Sequence, residues 1–232
     1  MYSQTKIAIP IAQKNKDSVI EVAKDCIKKG ADILEFRIDA MDNPDSETLI
    51  DIIKTINFPT IATNRIDSEG GNFKGSEEER VNLLLAVAPY VEYIDIELQT
   101  NDEYIEKIKD TGVKTIISYH DFKKTPELSD LMYIVKKEKQ VGDIAKVAVM
   151  PQNLEDTLVV LAILSSCDNT IAISMGELGS YTRVMASKFN SPITFAAGSD
   201  VTAPGQLDIE TMKMLLNTNI ISDEDLPNPD TD

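Results

Sequence analysis

A (β/α)8 TIM barrel in a single domain is the fold class that the sequence predicts, and three observations predict it. Short apolar, strand-like runs alternate with longer amphipathic segments throughout the chain. The runs number eight and recur about every 26 residues, close to one βα unit each. The turn after the first run reads Ala12-Gln13-Lys14-Asn15. An open doubly wound sheet, the alternative for eight strands, would more often carry glycines there.

Taken in order, the first run (KIAIPI, from Lys6) leads into a helix expected over 17–29. There Val19, Ile20, Ala23 and Ile27 keep helical spacing, and Gly30 stands at the stop. The second run (ILEFRI, from Ile33) precedes a helix over 46–56. The third (PTIAT, from Pro59) precedes 76–88, where Ser76 and Glu79 make a capping-box pattern ahead of the stripe Val81, Leu84, Leu85, Ala88. The fourth and fifth (VEYIDIEL from Val91, VKTIISY from Val113) are followed by helical segments over 102–111 and 126–139. The sixth, seventh and eighth (DIAKVAVM from Asp143, NTIAISM from Asn169, SPITFA from Ser191) are followed by 153–165, 181–188 and 206–217. The barrel is thus expected over 1–221. Residues 222–232, SDEDLPNPDTD, carry five acids, two prolines and one apolar residue, and read as an acidic, disordered tail.

With 23 basic and 39 acidic residues, the 232-residue chain has a formal net charge of −16. That charge argues against nucleic acid and anionic membrane as partners, since both are polyanions. No apolar run approaches the roughly 20 residues of a spanning helix, and no signal-peptide core precedes the first run. Cys26 and Cys167 lie too far apart in sequence for a CxxC pair and form no disulfide framework, which suits a cytoplasmic setting. The single histidine, His120, excludes HExxH zinc chemistry and any multi-histidine metal cage.

Barrel enzymes build their sites at the C-terminal ends of the strands, so polar residues in those positions are the candidates. Alternation puts Glu35 and Arg37 on one face of the second run, around Phe36. The third run ends Thr63-Asn64-Arg65, with Glu69 shortly after; the fourth carries Asp95 and Glu97; the fifth closes on Ser118-Tyr119-His120-Asp121. Lys146 stands among Ala145, Val147, Ala148 and Val149, where burial is expected. Desolvation and cations such as Arg37, Arg65 and Arg183 would favour a neutral amine, the form that condenses with a ketone. An internal ion pair with Asp95 or Glu97 is the alternative. His120 is the one side chain with an ordinary pKa near neutrality, as a base for carbon acids needs, and Glu69 could orient its ring. Gly176 and Gly179, followed by Arg183, admit either a phosphate site or a bidentate carboxylate contact.

These motifs, in this order, resemble the type I 3-dehydroquinate dehydratases, the shikimate-pathway enzymes that remove water from 3-dehydroquinate. The resemblance rests on Glu35-Phe36-Arg37, Arg65 with Glu69, Asp95-Ile96-Glu97-Leu98, Ser118-Tyr119-His120-Asp121-Phe122, Lys146 in KVAVMP, Met175-Gly176 with Gly179 and Arg183, and Thr194-Phe195 followed by Ala203-Pro204-Gly205-Gln206. It implies that Lys146 is the Schiff-base lysine, His120 the general acid/base and Glu69 its partner. It implies that Glu35, Arg37 and Arg65 hold ring hydroxyls, that Arg183 and Gln206 lie near the substrate carboxylate, and that Phe36 and Thr202 are among the substrate-binding residues. Thr202 stands where the family usually has serine, and Pro10 where a substrate-contacting serine is usual.

The implied reaction is a syn elimination to 3-dehydroshikimate through an iminium on Lys146, with no metal or cofactor. A homodimer is the family expectation. The stretch 197–205, rich in small residues, could close as a lid hinged at Gln206. A class I aldolase acting on a phosphosugar and a non-catalytic anion-binding barrel are the competing readings.

Overall fold

A computed structural model of the chain describes residues 5–198 and 205–217. The elements alternate strictly: β1 (Lys6–Ile11), α1 (Lys16–Lys29), β2 (Ile33–Arg37), α2 (Ser46–Ile56), β3 (Thr60–Thr63), α3 (Glu77–Val87), β4 (Tyr93–Glu97) and α4 (Asp102–Lys109). They continue with β5 (Lys114–Asp121), α5 (Leu128–Val141), β6 (Ile144–Val149), α6 (Leu154–Ser166), β7 (Thr170–Ser174), α7 (Gly176–Met185), β8 (Ile193–Phe195) and α8 (Ile209–Asn217). The eight strands form a parallel sheet in which β1 to β7 pair in sequence order and β8 pairs with β1. This is a (β/α)8 TIM barrel, nearly closed. Across the seam between β8 and β7, Ser191 Oγ donates to the Thr170 carbonyl at 2.9 Å, and Ile171 and Ile173 pack with Ile193 and Phe195.

Helix starts follow local hydrogen-bonding chemistry. Asn15, Asp45 and Asn153 accept from the backbone N–H three residues on, at the heads of α1, α2 and α6. The Ser76–Glu79 capping box forms in both directions at α3. Asn57 at the end of α2 and Gly30 at the end of α1 take the left-handed conformation that closes a helix.

Strand alternation then builds the barrel interior in layers. Each strand gives one residue to a packed floor: Ala8, Ile33, Ile61, Tyr93, Ile116, Ile144, Ile171 and Ile193, all buried in one cluster. Two residues further along each strand stand Pro10, Glu35, Thr63, Asp95, Ser118, Lys146, Ile173 and Phe195. Five of these are polar. The intervening residues face outward to the helices, where Leu34, Phe36, Ala62, Ile94, Ile96 and Ile117 join the larger cluster.

The chief departure from the sequence expectation is α7. It begins at Gly176, not at residue 181, and a 3₁₀ turn (Ala186–Phe189) follows it. Two glycines in a first turn carry low helix propensity, so the segment reads as a loop. Tertiary packing overrides that, because a Cβ on Gly179 would lie 2.2 Å from the Ser174 carbonyl oxygen. The acidic tail over 222–232 and most of the lid stretch fall outside the described residues. At the stretch's ends, Ala197 N donates to the Leu207 carbonyl at 2.7 Å.

Candidate active site

The second interior layer and the strand ends above it surround an open cavity at the barrel mouth. Glu35, Arg37, Arg65, Glu69, His120, Lys146, Arg183 and Gln206 all line it, together with Pro10, Phe122, Met175 and Phe195. Phe36 does not. Its side chain faces outward into the sheet–helix layer, as alternation between Glu35 and Arg37 requires. Thr202 lies outside the described residues.

Lys146 stands at the centre of β6, abreast of Ser118 on β5. Its Nζ donates to Asp95 Oδ2 at 2.7 Å, lies 3.6 Å from Glu35 Oε1, and sits 4.5 Å from the centroid of the Phe195 ring. The internal ion pair weighed from the sequence therefore exists, with Asp95. Glu97 takes no part in it: its oxygens accept from Arg65 Nη1, Arg80 Nη1 and the Ile66 backbone. Asp95 Oδ1 accepts from Arg65 Nη2 at 2.6 Å and Ser118 Oγ at 2.7 Å. Burial alone would raise the Asp95 carboxyl. The charges of Arg65 and Lys146, with the Lys146 hydrogen bond, outweigh burial and hold it well below the usual carboxylate range.

His120 lies two residues beyond Ser118 on β5, toward the mouth. Its Nδ1 is 2.9 Å from Glu69 Oε2, and the same oxygen accepts from the His120 backbone N–H at 3.0 Å. Gln99 Nε2 donates to Glu69 Oε1 at 2.8 Å. Burial, with the charges of Arg65 and Lys146, lowers the imidazole well below its ordinary value, so the ring is neutral at physiological pH. In the tautomer that donates from Nδ1 to Glu69, the lone pair is on Nε2. Burial pushes Glu69 up to about 7, helped by the charges of Glu97 and Asp95 and opposed by Arg65.

Glu69 reaches the ring because the chain from Ile66 to Gly71 folds back on itself. Gly71 N donates to the Ile66 carbonyl at 2.9 Å. A Cβ on Gly71 would lie 1.9 Å from the Arg65 carbonyl oxygen, so only glycine fits.

Arg183 occupies the last turn of α7, not a helix start, and is buried with Nη1 3.5 Å from the Phe195 carbonyl. Burial pushes its guanidinium down to about 10, which leaves it charged at neutral pH. Glu35 Oε1 accepts from Thr63 Oγ1 at 2.9 Å, and Arg37 is forked onto Asp39. Neither Asp39 nor Gln99 stood out in the sequence. Asp39 continues the spacing of Glu35 and Arg37, but β2 ends at Arg37, so alternation no longer tells where the residue points. Gln99 follows β4 in a turn and has no sequence signal. Among the described residues no cluster of three or more His, Cys, Asp or Glu is arranged to hold a metal ion.

A polar layer with a buried lysine, a carboxylate-backed imidazole and two further buried arginines suits carbonyl activation and proton transfer on a small anion. Comparison with known proteins bears on the same point. Residues 7–223 match the family model for type I 3-dehydroquinase. The chain is similar to a 3-dehydroquinate dehydratase of Methanobrevibacter smithii, 71% identical over 220 residues that cover 95% of this chain and 98% of that protein. It is 50% identical to one of Methanothermobacter thermautotrophicus over 212 residues, covering 91% and 96% of the two chains. The crystal structure of the Geobacillus kaustophilus 3-dehydroquinate dehydratase superposes with a TM-score of 0.87 at 28% identity, covering 94% of this chain and 91% of that one.

Proposed function

Because this chain belongs to the type I 3-dehydroquinase family, and with it to the hydro-lyases that dehydrate 3-dehydroquinate, we propose that Lys146 forms an imine with the substrate ketone and that His120 is the base and acid of the elimination. The observation that carries this reading is that one cavity holds a buried amine on Asp95 and a neutral imidazole on Glu69.

The ion pair of Lys146 is compatible with imine chemistry. The ammonium passes a proton to the neutral imidazole before attack, and the imidazolium returns it to the carbinolamine oxygen as water leaves. The sum is ammonium plus ketone giving iminium, at the same Nζ, plus water, with His120 neutral again. Asp95, held anionic by Arg65 and Ser118, faces that cation throughout. A fixed negative charge in a dry site stabilises it without reorganisation. The iminium withdraws electrons and acidifies the adjacent C–H. His120 takes that proton to leave an enamine, and the imidazolium returns it to the departing β-hydroxyl as water leaves. One base acting on one face makes the elimination syn. Hydrolysis of the imine consumes one water and frees 3-dehydroshikimate.

Glu35, Arg37 and Arg65 are assigned to the ring hydroxyls, and Arg183 and Gln206 to the carboxylate. The experiment is kinetic. Lys146→Met should abolish turnover with the fold retained. His120→Ala should lower kcat by about 10²–10⁴-fold, the range for a positioned acid/base, while imine still forms. Wild-type turnover in either variant would refute the roles.

The chain is further proposed to act as a homodimer. Leu154 and Leu158 on α6 and Leu178 and Tyr181 on α7 are exposed, and Tyr181 hydroxyl meets Thr157 Oγ1 at 2.7 Å, so the two helices present a shared apolar strip. A cytoplasmic location is proposed with it, supported by the two free cysteines and the acidic charge. No described helix is long and apolar enough to cross a membrane.

A further inference from the structure

Four donors converge on one buried carboxylate beside the cavity. Arg37 Nε donates to Asp39 Oδ1 at 2.8 Å and Arg37 Nη2 to Asp39 Oδ2 at 2.7 Å. The Arg65 backbone N–H donates to Oδ1 at 3.2 Å and the Asn72 backbone N–H to Oδ2 at 3.1 Å. Each oxygen therefore takes one guanidinium N–H and one backbone N–H.

The two parts have different consequences. The forked pair locks the guanidinium in one plane and uses one edge of it. Three N–H bonds, on Nη1 and Nη2, lie outside the fork, two of them along one edge, and Arg37 lines the cavity. The two backbone contacts bracket the tight turn that carries Glu69, because Arg65 enters it and Asn72 leaves it. Asp39 itself sits in a 3₁₀ turn (Ile38–Ala40) at the end of β2, and its side chain is fully buried. One carboxylate thus joins three strand-end features: the end of β2, the guanidinium above it, and the turn that backs His120.

We propose that Asp39 is a positioning residue: it fixes the plane of the Arg37 guanidinium against the β3–α3 turn, so that the free edge meets the substrate hydroxyls in a preset orientation. This deepens the reading of Arg37 as a substrate-holding residue and rests on it. Electrostatics agree: burial opposes ionisation of the Asp39 carboxyl, but the Arg37 fork and the two backbone N–H groups lower it.

A double-mutant cycle on KM tests the proposal, since two residues acting as one unit are non-additive. Asp39→Asn keeps the shape but turns an amide N–H₂ toward donors. It should raise KM about tenfold or more, since a group displaced by about 1 Å can lose up to about 10²-fold, with a smaller change in kcat. Arg37→Met should raise KM at least as much, and the double variant should be no worse than Arg37→Met alone. A wild-type KM in Asp39→Asn, or a double variant whose KM rises by the product of the single effects, would overturn the proposal while leaving Arg37 in its role. An unchanged KM in Arg37→Met would overturn the substrate-holding reading and the proposal with it. If Asp39→Asn does not fold, Asp39→Glu, which keeps the charge but moves it by one methylene, enters the same cycle with the same deciding outcomes. Loss of fold in both, with Arg37→Met folded, would make Asp39 a folding residue and contradict the proposal.

Discussion

Arg183 carries the specificity argument at the scale of single residues. It is buried, charged at neutral pH and placed on the cavity wall. A planar fork matches both oxygens of a carboxylate, and a lysine point charge cannot copy both hydrogen bonds. Losing one partner of a desolvated charge pair costs about 2–5 kcal/mol. Arg183→Ala should therefore raise KM for 3-dehydroquinate by more than tenfold, and Arg183→Lys should recover part of the loss. The check compares the acid with its carboxamide analogue in both proteins; full preference for the acid in Arg183→Ala would remove Arg183 from that role. Lys146 and His120 could be picked out in the sequence because they stand inside or close apolar strands, whereas Arg65 and Glu69, past the end of β3, were legible through the family motif. Asp95 was legible only as an alternative partner. Asp39 and Gln99 were not legible, because both lie just past a strand end, where periodicity carries no directional information.

At the scale of elements, α5 and α7 show where pattern reading stops. The helix-start expectation for α7 failed because Gly179 is chosen for a close contact with β7 and not for propensity. Helix α5 carries Glu138 on the face that buries Leu131 and Val135, and neither carboxyl oxygen has a hydrogen-bond partner among the described residues. Burial, then the negative charges of Asp95 and Glu69, raise this carboxyl well above its ordinary value. The sign follows from linkage. Above about pH 4.5 the unfolded chain releases this proton and the folded protein keeps it. Stability therefore falls as pH rises from there to the folded pKa, by about 1.4 kcal/mol per unit for one such group. Glu138→Gln should remove this part of the slope, leaving Glu69, raised to about 7, which also loses stability as pH rises, and His120, lowered by burial, which gains it as pH rises toward its ordinary value. Thermal unfolding between pH 5 and 8 reads it directly; parallel wild-type and Glu138→Gln curves would show that Glu138 ionises normally.

Across the whole molecule, two layers of strand side chains divide the work. The floor is apolar and closes the barrel; the layer above it is polar and builds the site. The alternation of eight runs made that architecture legible in the sequence, whereas the pairing within the polar layer depends on register between strands, which no single run reveals. The exposed strip on α6 and α7 belongs to this scale too. Leu158→Glu should shift sedimentation from a dimer to a monomer without altering the cavity, and an unchanged sedimentation coefficient would place the interface elsewhere or remove it.

The central claim is that the ketone is bound covalently to Lys146 during turnover. Borohydride added to the enzyme with 3-dehydroquinate reduces an imine to a stable amine, which mass spectrometry of the digested protein locates. The account predicts a substrate-dependent adduct on the peptide containing Lys146, and none in folded Lys146→Met. An adduct on another lysine, or full retention of activity with no adduct under turnover conditions, would contradict it.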